Sequence, residues 1–387
     1  MKWKVLLSDI DLTSGEVKSV QRVLKSRWLS MGELTAQFEE RFARFLGVKH
    51  ALAVSNGTAA LHLALSASCV GPGDEVLVPS LTFVATVNSI LYCGARPVFV
   101  DINGTENLNL SVSDLEQKIS QKTKAVVVMH YGGFPAPMTK IKETLHQAGS
   151  RFNRQIALIE DAAHAPGAEI SGKKCGVWGD LGCFSFFSNK NLVTGEGGMV
   201  VTDSDQLAKK VNLMRSHGMT SLSWERHKGH AHSYDVVELG YNYRLTEIEA
   251  ALGIQQLGKL KKSNLKRKQL TNLYRKSLSD LSEISVPFQK FEGQSSYHIF
   301  PIILSQKIDR LDFIQSLKRK GIQTSVHYPP VHQFSYYQNR FPAAGLVQTE
   351  SVGQREVTLP LHPLMSPVDV KLVCQAVKEA LGKSLKC

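Results

Sequence analysis

The sequence predicts an α/β protein, a doubly wound and mainly parallel sheet domain followed by a smaller α+β domain. Three observations carry this. Short apolar runs of strand type (DEVLVPS, ARPVFVD, KAVVVMHYGG, IALIEDA, CFSFFS and GGMVVTD) are separated mainly by helical or loop stretches, the order that βαβ units produce. Beyond a long helical stretch around residues 244–278 the texture changes to YHIFPIIL, a helix and GIQTSVHYPP, which suits a smaller α+β unit. A chain of 387 residues with 43% hydrophobic content can bury a large core and form two domains. The expected division is 1–255, a large domain that includes the N-terminal segment, and 256–387, a small C-terminal domain.

Taken in order, ALAVSNGTAALHLAL reads as a short strand, a turn at Ser55-Asn56-Gly57-Thr58, and a helix carrying Leu61, Leu63 and Leu65. The free N–H groups of such a helix start suit a phosphate, although the same string describes an ordinary capped helix. PSLTFVATVNSIL offers Phe83, either a flat group for a ligand or plain core. In IALIEDAAHA a buried strand of Ile156, Leu158 and Ile159 delivers Asp161 at its carboxyl end, where an Asp also serves as a helix N-cap for AAHAPGAE. Lys190 follows in FSFFSNKNLVTGEGGMVVTD, where a β-type run ends in a polar turn. A lysine in a turn is ordinarily a solvated charge, but strand ends are where open α/β sheets bind ligands. Lysine, carboxylate, phosphate cradle and flat group are the set that pyridoxal phosphate needs.

That order, with the strings SNGTAAL, PSLTFVATVNSIL, HYGGFPAPM, EDAAHAPGAE, CFSFFSNKNLVTGEGGMVVT, GYNYRLTEIEAALGIQQL and VHYPPVHQF, closely resembles the DegT/DnrJ/EryC1/StrS family of nucleotide-sugar aminotransferases. The resemblance runs from WLSMGELTAQFEERFARFLG to LPLHPLMSPVDV. It implies a fold-type I, aspartate aminotransferase-like architecture and a homodimer with shared active sites. By the same resemblance, Lys190 holds pyridoxal phosphate covalently and later moves the proton, and Asp161 keeps the pyridine nitrogen protonated. Gly57, Thr58 and Ser185 match the phosphate-binding positions, and Phe83 the ring-stacking aromatic. His164 takes the His/Gln position near the cofactor's phenolic oxygen; as a residue it could equally be a core histidine. Asn242 of GYNYR matches the residue that reaches the phosphate from the neighbouring subunit, the alternative being a cap for the helix beginning near Arg244.

The segment HGMTSLSWERHKGHAHSYDVVELGYNY is expected near the sugar nucleotide, with Trp224, Arg226, His227 and Lys228 selecting substrate. His327 and Tyr328 of VHYPP are expected to join them. His227, His230 and His232 invite a metal, but no carboxylate or cysteine completes a ligand set, and no metal is expected. Relatives that deoxygenate or dehydrate the sugar carry histidine in place of the lysine, so Lys190 favours transamination. The implied reaction is ping-pong: L-glutamate donates the amine and leaves as 2-oxoglutarate, and a keto group of a nucleotide-linked deoxysugar receives it. A cyclitol or another ketone acceptor is the alternative. A non-catalytic regulator is disfavoured by the joint presence of Lys190, Asp161, Thr58 and Ser185.

Composition narrows the setting. No uninterrupted apolar stretch is long enough to span a bilayer, and Asp9 and Asp11 interrupt the first apolar run, so neither a membrane partner nor a signal peptide is expected. Six cysteines without a Cys-x-x-Cys pair suggest reduced thiols in a cytoplasm, and Cys183 reads as a small buried hydrophobe. The net charge of +12 raises the question of nucleic acid. Much of it sits in KLKKSNLKRKQLTNLYRKSL, where Leu260, Leu265, Leu270, Leu273 and Leu278 thread through the lysines. A long amphipathic helix with a solvated basic face explains that run, and no nucleic-acid partner is expected.

Overall fold

The computed structural model describes residues 3–220 and 233–384. Two helices open it, α1 (Ser14–Ser26) and α2 (Glu33–Leu46). Thr13 and Glu16 form a capping box that fixes the start of α1, satisfying amides that have no partner within the helix. The strands that follow are β1 (His50–Val54), β2 (Glu75–Pro79), β3 (Arg96–Val100), the hairpin β4 (Ile102–Gly104) and β5 (Asn107–Leu110), β6 (Thr123–Met129), β7 (Ala157–Asp161), the hairpin β8 (Glu169–Ile170) and β9 (Lys173–Lys174), β10 (Leu181–Ser185) and β11 (Gly198–Thr202). Between them run α3 (Gly57–Ala67), α4 (Val84–Tyr92), α5 (Val112–Lys118) and α6 (Met138–Phe152), and α7 (Asp205–Met214) follows β11.

Seven of these strands form one sheet in the order β1-β11-β10-β7-β6-β2-β3. Only β11 runs against the rest. The carboxyl ends of β1, β10, β7, β6 and β2 therefore share one edge. The middles of the strands are largely apolar because both faces of the sheet are covered. In β10, Cys183 packs with α3 and its neighbours on one face, while Phe184 packs on the other against Phe38 and Phe42 of α2. The Phe42 and Phe184 rings meet edge to face with centroids 5.0 Å apart.

A 32-residue helix, α8 (Glu247–Leu278), links this sheet to the C-terminal part; at 1.5 Å per residue it is about 48 Å long. Thr246 and Glu249 cap its start. The remaining elements are β12 (Ile284–Ser285), β13 (Phe300–Leu304), α9 (Arg310–Arg319), α10 (Ser335–Gln338), α11 (Val347–Arg355), β14 (Glu356–Leu359) and α12 (Pro367–Ser384). The strands β12, β13 and β14 make an antiparallel sheet whose core includes Tyr274 of α8 stacked on Phe300.

Three features differ from the sequence reading. The division expected between 255 and 256 falls inside α8. The N-terminal segment, expected with the large domain, reaches the other part: Val5 bridges Ile322 and packs in the small sheet's core, and the Leu7 amide donates to Gln323. The basic run of α8 is not wholly solvated, since its inner face carries Asn264 and Arg267 beside Leu260, Leu270 and Leu278, whereas Leu265 is exposed. Arg267 spends its charge on the carbonyls of His298 and Leu361, and burial lowers its guanidinium to about 10. Among the described residues no helix is long and apolar enough to cross a membrane.

Candidate active site

The shared edge of the sheet gathers the chemistry. A cavity of about 610 Å³ there is lined by Asn56, Gly57, Thr58, Phe83, Asp161, His164, Ser185, Lys190, His327 and Tyr328, among others. All of these but His327 and Tyr328 arrive by a short path from a strand end. The residues after β1 turn at Asn56, whose side chain takes the Ala59 amide at 2.8 Å. The first-turn amides of Gly57 and Thr58 then lie at the open end of α3, where backbone N–H groups lack helical partners and favour an anion. Ser185 ends β10, directly beside Gly57: a Cβ added there would sit 2.8 Å from the Ser185 Cβ. Phe83 is the residue before α4 and is 52% exposed, so it is cavity wall and not core.

Asp161 ends β7, opposite Cys183 of β10 and Met129 of β6. The residues after it form turns, not the AAHAPGAE helix it might have capped. Its carboxylate accepts the Thr86 hydroxyl at 2.8 Å and the Ala163 amide at 3.2 Å. Burial raises its pKa, and those two donors and the Lys190 charge oppose the rise. Burial also lowers the half-buried Lys190 to about 8, with Asp161 pulling the other way. Asn191, next in the chain, is locked in the core by Asn264, Ser296 and His298, which fixes the turn that presents Lys190.

The far wall comes from the C-terminal part. Tyr328 donates or accepts at His164 Nε2 over 2.9 Å, and its ring lies 5.7 Å from that of Phe83. His164 Nδ1 is buried without a protein partner, and burial holds the ring well below its ordinary pKa, so it is neutral. His327 is likewise lowered, to about 4, by burial and by Lys190.

Residues 11–378 match the DegT/DnrJ/EryC1/StrS aminotransferase family. The chain belongs to that family. It is 38% identical over 371 residues to the Bacillus subtilis spore coat polysaccharide biosynthesis protein SpsC, covering 94% of each chain. Helicobacter pylori PseC, an aminotransferase involved in pseudoaminic acid biosynthesis, is 31% identical with a TM-score of 0.90, covering 98% of this chain and 99% of that one. The Streptococcus pneumoniae putative sugar aminotransferase Spr1654, solved in PLP and PMP forms, is 28% identical; for its PMP form the TM-score is 0.92, with 98% of this chain and 100% of that one covered. Like its family, the protein is a pyridoxal phosphate-dependent transaminase, and its sheet is that of the fold-type I class.

The residues present fit that cofactor on internal grounds. An open helix start with a small-residue contact at Gly57 and Ser185 leaves room for a phosphate, while a buried carboxylate, a lowered lysine and the His164 ring line the same cavity. Asn242 behaves differently. It is exposed, does not line the cavity, and bridges Ser216, while the cap of α8 is Thr246. The alternative reading of Asn242 as the cap of that helix is therefore excluded. Trp224, Arg226, His227 and Lys228, with His230 and His232, lie outside the described residues. The sequence reading missed Thr86, Glu356 and Thr358. A signal existed for the last two, because Glu in the apolar run REVTLPLHPL is seldom buried without a reason.

Proposed function

We propose that this transaminase moves the amino group of L-glutamate to a keto group of a nucleotide-linked deoxysugar, giving an amino sugar. The observation that carries the reading is the meeting of Lys190, Asp161, His164 and the Gly57–Ser185 contact in one cavity, in a chain whose relatives are sugar aminotransferases by name.

Pyridoxal phosphate, when bound, supplies a cationic ring that accepts the electron pair left as a proton leaves carbon. Gly57 and Thr58 at the start of α3, with Ser185, hold its phosphate. Phe83 packs on the ring. Asp161 faces the ring nitrogen and keeps its proton in place, a burden for which its own buried, raised carboxyl is suited once a cation is adjacent. Lys190, poised near neutrality at about 8, would hold the cofactor at rest and move the proton between the cofactor carbon and the nitrogen-bearing substrate carbon in each half-reaction. His164, fixed through Nε2 by Tyr328, would stand near the phenolic oxygen. His327 and Tyr328 face the acceptor, and in this reading Trp224, Arg226, His227 and Lys228 help to select it, the charges of Arg226 and Lys228 suiting a diphosphate. In this reading residues 1–255 supply the cofactor site and 256–387 much of the acceptor wall.

A homodimer is part of the reading: the exposed Asn242 supplies a phosphate contact to the partner's site. A cytoplasmic setting fits too, since Cys69, Cys93, Cys175, Cys183 and Cys374 are free thiols. The deciding experiment is incubation of the purified protein with glutamate and a panel of keto-sugar nucleotides and ketoinositols, followed by mass spectrometry. Amination of a keto-sugar nucleotide supports the reading. Amination of ketoinositols alone transfers it to a cyclitol, and no amination of either class returns the regulator.

A further inference from the structure

Beside the cavity lies a short chain of buried groups for which the reaction above has no use. Glu356 and Thr358 sit two apart on β14, so their side chains share a face. Thr358 donates its hydroxyl to Glu356 Oε1 at 2.5 Å, and Thr358 Oγ1 lies 2.9 Å from His327 Nδ1. The other carboxylate oxygen, Glu356 Oε2, accepts the backbone N–H of His327 itself at 2.7 Å. The His327 carbonyl accepts the Tyr131 hydroxyl. One residue's backbone and ring are thus tied to a single carboxylate.

A hydroxyl has one proton to give. With that proton on the Glu356 side, Thr358 Oγ1 accepts from His327, so Nδ1 carries the ring proton and Nε2 keeps its lone pair. The ring lines the Lys190 cavity, its Nδ1 is engaged, and Nε2 is the ring atom left for a ligand. Among the described residues Glu356 makes no ion pair; Arg310, whose charge acts on it, donates to the Gly353 carbonyl. A fully buried acid held only by neutral donors is costly to keep, which asks for a purpose.

We propose that Glu356 and Thr358 are positioning residues that fix His327 as its Nδ1–H tautomer, so that Nε2 accepts a hydrogen bond from a hydroxyl of the polyhydroxylated ketone substrate. The inference rests on the reading of this cavity as the acceptor site.

Two measurements test it on the full-length protein. In protein labelled with ¹⁵N-histidine, at about pH 9 and so above the value near 8 to which burial raises Glu356, long-range proton–nitrogen correlation reports the tautomer. The His327 signals are identified by their loss in His327→Gln. Wild type and Thr358→Ser should show a protonated Nδ1 and a bare Nε2; the near-isosteric Thr358→Val should show the tautomers mixed. Should Thr358→Val fail to fold, Glu356→Gln, which cannot accept from both donors, takes its place. A His327 that stays Nδ1-protonated in these variants overturns the proposal.

The second measurement is kinetic. Thr358→Val should raise the acceptor KM about tenfold, the size of one hydrogen bond, with a smaller change in kcat. In a His327→Phe background it should cost nothing further, because its effect passes through that ring. Additive losses mean a merely structural role and sink the idea. If wild type aminates no keto-sugar nucleotide while the tautomer pattern holds, the functional reading fails and the positioning of His327 stands.

Discussion

Gly57 and Ser185 press together so closely that a Cβ on the glycine would lie 2.8 Å from the serine's own Cβ. The contact joins the start of α3 to the end of β10, the two sides of the proposed phosphate seat. Gly57→Ala must push them apart, because the opposing atom is fixed to backbone. We expect cofactor affinity to fall at least tenfold, with a stability loss of about 1–3 kcal/mol from overpacking. Fluorescence titration of cofactor-free protein measures the first and thermal unfolding the second. Gly57→Ala with Ser185→Gly should recover the stability but not the affinity, because the Ser185 hydroxyl is itself part of the seat; an unaltered affinity in the single variant removes the seat from this place.

Lys190 should betray its lowered pKa when cofactor is added back. Only the neutral amine attacks an aldehyde, so the rate of attachment should rise with pH and level off above about 8, in place of the ordinary lysine value of 10.5. Asp161 raises the lysine's value, so Asp161→Asn should move the midpoint lower still. Stopped-flow absorbance on cofactor-free protein gives the profile, and borohydride followed by peptide mapping names the lysine. A midpoint near 10, or a label on another lysine, refutes the assignment.

Asp161→Asn tests the electronics. The side chains are nearly the same shape, and the charged form of Asp161 is disfavoured by burial, so removing the charge should leave thermal stability unchanged or slightly higher. Turnover should drop by about 100-fold or more, since nothing then holds the ring proton. Near-normal half-reaction rates with glutamate would count decisively against the role.

Asn242 tests the dimer. Mixing Lys190→Ala subunits with Asn242→Ala subunits creates heterodimers in which one site carries both lesions and the other neither. Activity should return on mixing, to about half of wild type per heterodimer if the sites are independent. Unchanged cofactor affinity in Asn242→Ala, or no recovery despite proven subunit exchange, ends the shared-site proposal.

How far the sequence sufficed depends on the range over which each feature is determined. Lys190 and Asp161 were readable because a strand end is a local event: an apolar run stops, and the polar residue that follows lies at the sheet's edge; Ser185 came only through the family resemblance. Thr86 was not, since its partner Asp161 lies on a strand 75 residues away in the chain. Arg267 looked like one more cation in a basic run and instead points inward, because only the packing of α8 against His298 and Leu361 supplies carbonyls for it. Val5 could not be assigned to the small sheet from an N-terminal position alone, as its partner Ile322 stands at the other end of the chain.

The unbroken course of α8 bears on how proteins of this kind can exchange parts. A crossover at residue 255 would splice two half-helices, and each residue gained or lost at the joint turns the downstream face by about 100°. Leu260, Arg267 and Tyr274 would then leave their seats together. Modular shuffling of acceptor preference is confined to junctions that carry the helix whole, before Thr246 or after Leu278, so new substrates should be reached more readily by change within loops than by trading halves.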